Sequence, residues 1–275
     1  MPDVPNYGQL HLLFAAIATF VAGGVVSVAR RRSDHDSLRV ASKACFYGGI
    51  LLGVVVLIWH SLDRGKWLPL GDNFEAMMWL ALLISLFVSY TQRTRPLRGL
   101  DWFLMPIVIL LLIAAAVFGR TTPHEYVTTT WIWVHWVTAY AGSVAFAVAG
   151  ASGAMYLFAS RRLRTKRIAP GAAFGSLERL EHLTFLSVTL GFALLTVALV
   201  TGLVRVLGGN NSLGPNWYTE PKVVMTFIAW VIYALVLHSP INPSFRGRKT
   251  AVLSIIGFAL MAGILIAVQL MPGKR

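Results

Sequence analysis

Cysteine and acidic residues are both scarce in this chain. Its 275 residues include one cysteine, and 11 aspartates and glutamates stand against 24 lysines and arginines. The lone Cys45 lies inside an apolar run, which excludes a disulfide framework and a C-x-x-C thiol pair and favours a small buried apolar residue. The sequence also lacks a Ser/His/Asp set, a metalloprotease helix and a phosphate-binding loop, so nothing in it favours a hydrolase.

Charge of either sign is also rare. Charged residues make up 13% of the chain and hydrophobic residues 56%, with a mean hydropathy of +0.67, which is too apolar for a soluble domain. A spanning helix needs about 20 apolar residues. Eight long apolar runs therefore predict an all-α, polytopic membrane helix bundle with about eight transmembrane helices, in a single membrane domain covering 1–275. The runs are Gly8–Ala29, Val40–His60, Phe74–Tyr90, Trp102–Gly119, Trp131–Ala159, Thr184–Leu207, Val223–His238 and Ala251–Met271.

Lysine and arginine are concentrated in alternate loops. The loops after the first, third, fifth and seventh runs are rich in these residues, and the loops between them are poor. The positive-inside rule therefore predicts cytoplasmic rich loops and both termini outside. This excess, together with contact with anionic membrane lipid, explains the net charge of +13, so we expect no nucleic-acid partner. The first run is longer than a signal-peptide core and lacks a preceding basic segment, so we expect a retained helix.

An aromatic, polar segment interrupts the apolar runs at residues 213–222, LGPNWYTEPK. It places Trp217, Tyr218, Glu220 and Lys222 at the outer start of a helix. This composition is typical of a surface that holds a flat, partly apolar ligand at a membrane face. His238 ends the same helix about 24 Å away, on the inner side of the membrane.

His135 lies about one turn below the predicted outer surface, within WIWVHWVTAYAG. Three tryptophans flank it: Trp131, Trp133 and Trp136. Two interpretations are open, because interfacial tryptophans are common at helix ends, yet a histidine among them also offers an axial ligand for haem iron with aromatic walls for the macrocycle. Small residues further along this run predict close helix packing. They are Gly142, Ser143, Ala147, Gly150, Gly153 and Ala154.

Two other histidines face the same choice. His11, about one turn into the first helix, is either a haem or metal ligand or a hydrogen-bonded interhelical histidine. His60 at the outer end of the second helix is ambiguous between a ligand and an interface residue. Arg205 near the outer end of the sixth helix either reaches the interface or neutralises an anionic group held by the outer loop.

Helix starts are also marked in the sequence. Asn73 or Asp72 is expected to cap a helix that begins at Phe74, with Glu75 in its first turn, where the helix dipole favours a carboxylate. Ser176 is expected to cap the sixth helix, with Glu178 and Glu181 in its first turns.

Four stretches, in order, resemble the cytochrome c assembly protein family, which includes the CcsA (ResC), CcmC and HemX/YpjD-like proteins. They are PLGDNFEAMMW, WIWVHWVTAYAG, WYTEPKVVMTFIAWVIYALVLH and FRGRKTAVLSIIGF. The tryptophan-rich motif of the family is reduced here, since Thr219 stands in place of its second tryptophan and Glu220 in place of its aspartate. The resemblance is therefore closest to the short HemX/YpjD branch.

The resemblance implies a set of haem-binding residues. His135 falls where the family has an outer haem-ligating histidine, and His238 where CcsA has one within the membrane. Trp217, Tyr218, Glu220 and Lys222 fall on the outer motif that holds haem. Asn73, Phe74 and Glu75 match the segment beside it. The chemistry of haem b then requires cations for the propionates, which Lys222, Arg205 or Lys66 supplies.

The function implied is that of a haem-binding multi-pass protein of the bacterial cytoplasmic membrane. It would present haem at the outer face to apocytochrome c, alongside a ResB-like membrane protein. Such a chain is expected to be a component of a haem-lyase system rather than a stand-alone enzyme. The alternative is a HemX-like regulatory or scaffolding protein with a degenerate haem site. A small-solute transporter is disfavoured because no inverted repeat or intramembrane carboxylate is evident.

Overall fold

The computed structural model describes residues 5–29, 36–65, 72–94, 99–119, 130–165, 176–207, 216–238 and 247–270. Within these ranges the chain forms eight α-helices and one 3-10 turn. The helices are α1 (Tyr7–Ala29), α2 (Asp36–Arg64), α3 (Asn73–Thr94), α4 (Leu100–Phe118), α5 (Thr130–Arg164), α6 (Leu177–Leu207), α7 (Pro221–Leu237) and α8 (Arg248–Leu270), with the 3-10 turn at Trp217–Thr219.

Each predicted apolar run corresponds to one of these helices, and the prediction of an all-α polytopic membrane bundle is confirmed. Among the described residues, α1 to α6 are each long and apolar enough to cross a membrane, while α7 is shorter, with 17 residues. Several helices extend beyond their apolar runs: α2 begins at Asp36 and α5 continues to Arg164. The polar turns at the ends of these helices lie outside the apolar pattern, so hydropathy alone underestimates the lengths of the helices. The orientation of the bundle stays a prediction.

The chain folds into two compact units. The first comprises residues 1–94 and 104–125, where α1 packs along α2. Phe20 of α1 is fully buried against Gly49 of α2, where an added Cβ would lie 2.9 Å from the phenylalanine ring. The small residue thus permits the close approach of the two helices.

The second unit comprises residues 95–103 and 126–275, and α5 forms its centre, with α6 and α8 packed on it. The predicted small residues of α5 make these contacts. A Cβ at Gly153 would lie 2.8 Å from the carbonyl oxygen of Ala251, and one at Gly150 would lie 2.8 Å from the Cβ of Phe258. Beside them the rings of Phe146 and Tyr233 stack at 3.7 Å, which joins α7 to α5. The prediction of close packing along α5 is confirmed.

Two side chains cap helices as expected. Asp72 Oδ1 accepts a hydrogen bond from the backbone N–H of Glu75 at 2.8 Å, so Asp72 rather than Asn73 caps α3. Ser176 Oγ accepts one from the N–H of Arg179 at 3.3 Å at the start of α6. Both caps satisfy backbone donors that a helix leaves unpaired in its first turn.

Candidate functional site

His135 is held by α6 through its backbone. Its Nδ1 donates a hydrogen bond to the carbonyl oxygen of Ala198, with 2.7 Å between the two atoms. Because a carbonyl oxygen can only accept, Nδ1 carries the proton and the lone pair of the neutral ring lies on Nε2. Within the described part of the chain, Nε2 has no hydrogen-bond partner. A histidine fixed in this way has the tautomer and orientation that metal-ligating histidines adopt.

A glycine on α6 makes this position possible. A Cβ added at Gly202 would lie 3.2 Å from Cε1 and 3.4 Å from Nδ1 of His135, which is tighter than an ordinary contact. Ala198 and Gly202 are four residues apart and so share one face of α6. The sequence analysis did not identify either residue, because alanine and glycine have no polar or metal-binding side chain.

Two of the three tryptophans near His135 in the sequence contact each other in the structure. Trp133 and Trp136 contact each other edge to face, with 5.8 Å between ring centroids, and both are half-buried. Trp131, one turn earlier, is exposed. Trp133 and Trp136 are two residues and one residue from His135 along α5, so they do not share the helix face from which the imidazole reaches α6. Trp131 lies at the helix end where interfacial residues belong.

His238 follows the last residue of α7 and is exposed. Its Nδ1 donates to the carbonyl oxygen of Ala234 in the same helix at 2.9 Å, which again leaves the lone pair on Nε2. His135 contacts the last third of α6, near the end of the unit where α7 begins, whereas His238 lies where α7 finishes. The two histidines therefore lie at opposite ends of the second unit, each with Nδ1 bonded to a backbone carbonyl oxygen.

The outer aromatic segment forms the 3-10 turn that precedes α7. The rings of Trp217 and Tyr218 lie edge to face at 6.1 Å; Trp217 is half-buried and Tyr218 is 59% exposed. Glu220 occupies the N-cap position of α7, but its side chain makes no capping hydrogen bond. Lys222 lies in the first turn of α7, as predicted; its side chain, together with Lys66 and residues 213–215, lies outside the described residues.

His60, in the first unit, is part of a buried charged cluster that joins α1, α2 and α3. Its Nε2 lies 2.7 Å from Asp72 Oδ2, and its Nδ1 lies 3.1 Å from Gln9 Oε1. Arg64 bridges the two carboxylates of this cluster, at 3.1 Å from Asp72 and 2.7 Å from Glu75. The ring of Phe74 packs 5.0 Å from the imidazole.

Further hydrogen bonds hold the partners of His60 in place. Gln9 Nε2 donates to Asp63 at 2.8 Å, which orients the amide oxygen of Gln9 towards His60. Asp72 also accepts hydrogen bonds from the N–H of Glu75 and from Arg64. Both ring nitrogens of His60 are thus engaged by protein side chains.

His60, Asp72 and Glu75 also present ligand atoms within 4.8 Å of one another, a geometry that a metal ion could use. The guanidinium of Arg64 already lies between both carboxylates, so we interpret the group as an ion-pair network. From the sequence, Glu75 is expected to interact with the helix dipole and to lie in the segment beside the family's haem-holding motif. The ion-pair network was not predicted, although a histidine and an arginine one turn apart, His60 and Arg64, precede two carboxylates three residues apart.

His11 lies on the exposed side of α1, outside this network, whereas Gln9 of the same helix is buried within it. Of the histidines singled out from the sequence, the structure thus engages His60 on both nitrogens and leaves Nε2 of His135 and His238 without a described partner.

Comparison with known proteins agrees with the family resemblance seen in the sequence. The sequence profile of a family described as "Cytochrome C assembly protein" matches residues 67–273. Three similar relatives are each named "Cytochrome c biogenesis protein CcsA". The protein of Prochlorococcus marinus (strain NATL2A) is 38% identical over 98 residues, 36% of this chain and 30% of the relative. That of Synechococcus sp. (strain RCC307) is 24% identical over 250 residues, 80% of this chain and 79% of the relative. That of Oryza sativa is 38% identical over 85 residues, 31% of this chain and 26% of the relative.

The segment with the higher identity thus spans about a third of the relatives it matches, and the longer alignment spans about four fifths. No solved structure matches the chain. The family match runs through residues of both compact units.

Proposed function

The chain belongs to the cytochrome c assembly protein family, and from this premise we propose that it binds haem b as cargo and presents it during cytochrome c biogenesis. The observation that carries the proposal is the hydrogen bond from His135 Nδ1 to Ala198, which leaves Nε2 free to bind iron. Neutral imidazole is the usual haem ligand, and a carbonyl partner on the other nitrogen strengthens it as a donor.

In this proposal His135 binds haem at the outer end of α5, and His238 provides a second haem-binding position at the inner end of α7. Trp217 and Tyr218 supply an aromatic edge beside the start of α7, and Glu220 and Lys222 flank it. Presentation takes place at the outer face of a bacterial cytoplasmic membrane, where the thiols of apocytochrome c accept the haem and a ResB-like protein assists. The chain positions haem, and the covalent bonds form on the partner.

His60 is left out of the proposed site because both of its ring nitrogens are engaged. His11 remains a predicted ligand with no described contact that supports the role. This restricts the proposed iron ligands to two histidines of one compact unit.

The experiment is an absorption spectrum of protein purified in detergent from a haem-replete host. We expect a Soret band that His135→Ala abolishes or shifts and that His238→Ala weakens or changes in spin state. His182→Ala is the matched control, because His182 is exposed in the first turns of α6, away from the site. A colourless wild-type protein, or a band that neither variant alters, would refute the proposal.

One observation favours a second candidate, a HemX-like regulatory or scaffolding protein. Thr219, in place of the family's second tryptophan, donates its hydroxyl to the carbonyl oxygen of Asn216 at 2.8 Å and closes its own turn. The turn therefore presents only one indole ring, that of Trp217, as a flat surface for haem. Normal cytochrome c levels in a deletion strain, together with a colourless protein, would support this candidate over haem delivery.

A further inference from the structure

Arg205 has a buried, unmatched donor. Its Nε is shielded from solvent and has no hydrogen-bond partner within the described residues, and no ion pair of its guanidinium is found there either. Guanidinium remains charged under all ordinary conditions and can only donate. A charged donor left unmatched within a membrane protein is costly, so such groups commonly face a functional partner.

The location of Arg205 relates it to His135. Ala198, Gly202 and Arg205 are spaced by four and three residues, so they share one face of α6. His135 contacts the first two of these residues, and Arg205 lies about 4.5 Å further along the helix. Arg205 therefore lies about one turn beyond the His135 contact, on the same face of α6 and towards its C-terminal end.

The helix itself offers no counter-ion at this point. The carboxylates of α6, Glu178 and Glu181, lie in its first turns, about 36 Å or more from Arg205 along the axis. Glu181 accepts a hydrogen bond from the N–H of Gly247 and belongs to the other end of the unit. Glu220 at the start of α7 is the next carboxylate along the chain, and it forms no ion pair with Arg205 within the described residues. The described ion pairs thus leave the guanidinium of Arg205 available to an anion of a ligand.

We propose that Arg205 binds a carboxylate of the ligand that His135 holds, so that this site selects porphyrins with free propionates. The inference rests on the proposed function, because it takes haem as the ligand. In this arrangement Nε2 of His135 would bind the iron, and the guanidinium of Arg205 would bind a propionate. Arg forms paired, charge-assisted hydrogen bonds with a carboxylate, which fix orientation as well as affinity.

A lipid phosphate at the membrane interface could supply the same anionic chemistry, since long cationic side chains reach towards headgroups. The two sources differ in what they predict. A propionate partner makes porphyrin binding depend on free carboxylates in any lipid, whereas a lipid partner makes the protein depend on anionic lipid and leaves porphyrin choice unaffected.

The test uses the full chain, freed of haem and reconstituted in nanodiscs of zwitterionic or anionic lipid, and titrated with haem or haem dimethyl ester. We expect wild-type protein to bind haem at least about tenfold more tightly than the ester in both lipids, as hydrogen bonds to charged groups contribute. Arg205→Gln should abolish this preference and leave ester affinity unchanged. Arg205→Lys should keep part of it, and Arg179→Gln, an exposed arginine at the other end of α6, should keep all of it.

The outcomes separate the two proposals. If wild-type protein binds neither porphyrin, the proposed function fails and this inference fails with it. If wild-type protein binds both equally, if Arg205→Gln retains the preference, or if binding varies only with anionic lipid, the inference alone is overturned. If Arg205→Gln does not fold, Arg205→Lys decides, because a point charge should give a measurably smaller preference than the planar guanidinium.

Discussion

His135 Nδ1 and the carbonyl oxygen of Ala198 lie 2.7 Å apart, so a side chain of α5 is bonded to the backbone of α6. A backbone partner cannot be removed by mutation without moving the helix. The tautomer of His135 is therefore set by the packing of two helices rather than by a second side chain. This makes the fit between these helices, and Gly202 in particular, the point at which the site can be tested.

Gly202→Ala should weaken haem binding without unfolding the protein. The added methyl would lie 3.2 Å from Cε1 of His135, so the ring must shift by a few tenths of an ångström. A shift of the proposed iron-ligating imidazole is expected to lower haem affinity about tenfold or more, as does the loss of a residue that orients a metal-binding histidine. Haem titration measures the effect. Gly24→Ala is the control, since a Cβ there meets nothing within 4 Å; an equal loss in both variants would contradict the prediction.

Arg64→Gln should destabilise the first unit strongly. It removes the cation shared by Asp72 and Glu75 and leaves their buried carboxylates under-compensated, which costs about 3–5 kcal/mol when a buried pair is broken. The free energy of unfolding in mixed detergent micelles would report it. Arg39→Gln breaks the surface pair with Asp36, 3.6 Å apart, and should change little.

A double variant tests whether the destabilisation by Arg64→Gln comes from unbalanced charge. Arg64→Gln with Glu75→Gln restores charge balance and should recover part of the lost stability. No recovery would mean that packing rather than charge explains the effect.

His60→Ala should lower stability and leave any Soret band at its wild-type position. Both ring nitrogens of His60 are hydrogen-bonded to protein side chains, so its loss breaks the bonds to Asp72 and Gln9 but removes no proposed iron ligand. Spectra of His60→Ala and His135→Ala, recorded at equal protein concentration, make the comparison. A band that disappears in His60→Ala while the protein stays folded would establish the histidine as a ligand and refute the ion-pair interpretation.

Gly153→Ala should separate α5 from α8. The new methyl would lie 2.8 Å from the carbonyl oxygen of Ala251, and a backbone atom cannot rotate away as a side chain can. Overpacking of this kind typically costs about 1–3 kcal/mol. Thermal unfolding of the purified protein measures it, with Gly48→Ala, which has open space around it, as the matched control. If the two variants unfold at the same temperature, the close packing of α5 contributes little.

The helices and their local contacts could be predicted from the sequence, because hydropathy, small residues and capping residues act within one segment. The Asp72 and Ser176 caps and the packing of Gly150 and Gly153 followed from such patterns. The partners of His60 could not be predicted, since they depend on Gln9, about fifty residues away along the chain. Nor could Ala198 and Gly202 be recognised, because their contributions are a carbonyl group and the absence of a side chain.

Arg64 near the end of α2 lies between Asp72 and Glu75 at the start of α3, and all three side chains are largely shielded from solvent. An arginine or a carboxylate that entered the bilayer without its partner would carry an unpaired charge into hydrocarbon. We therefore expect α2 and α3 to enter the membrane together during synthesis rather than one after the other.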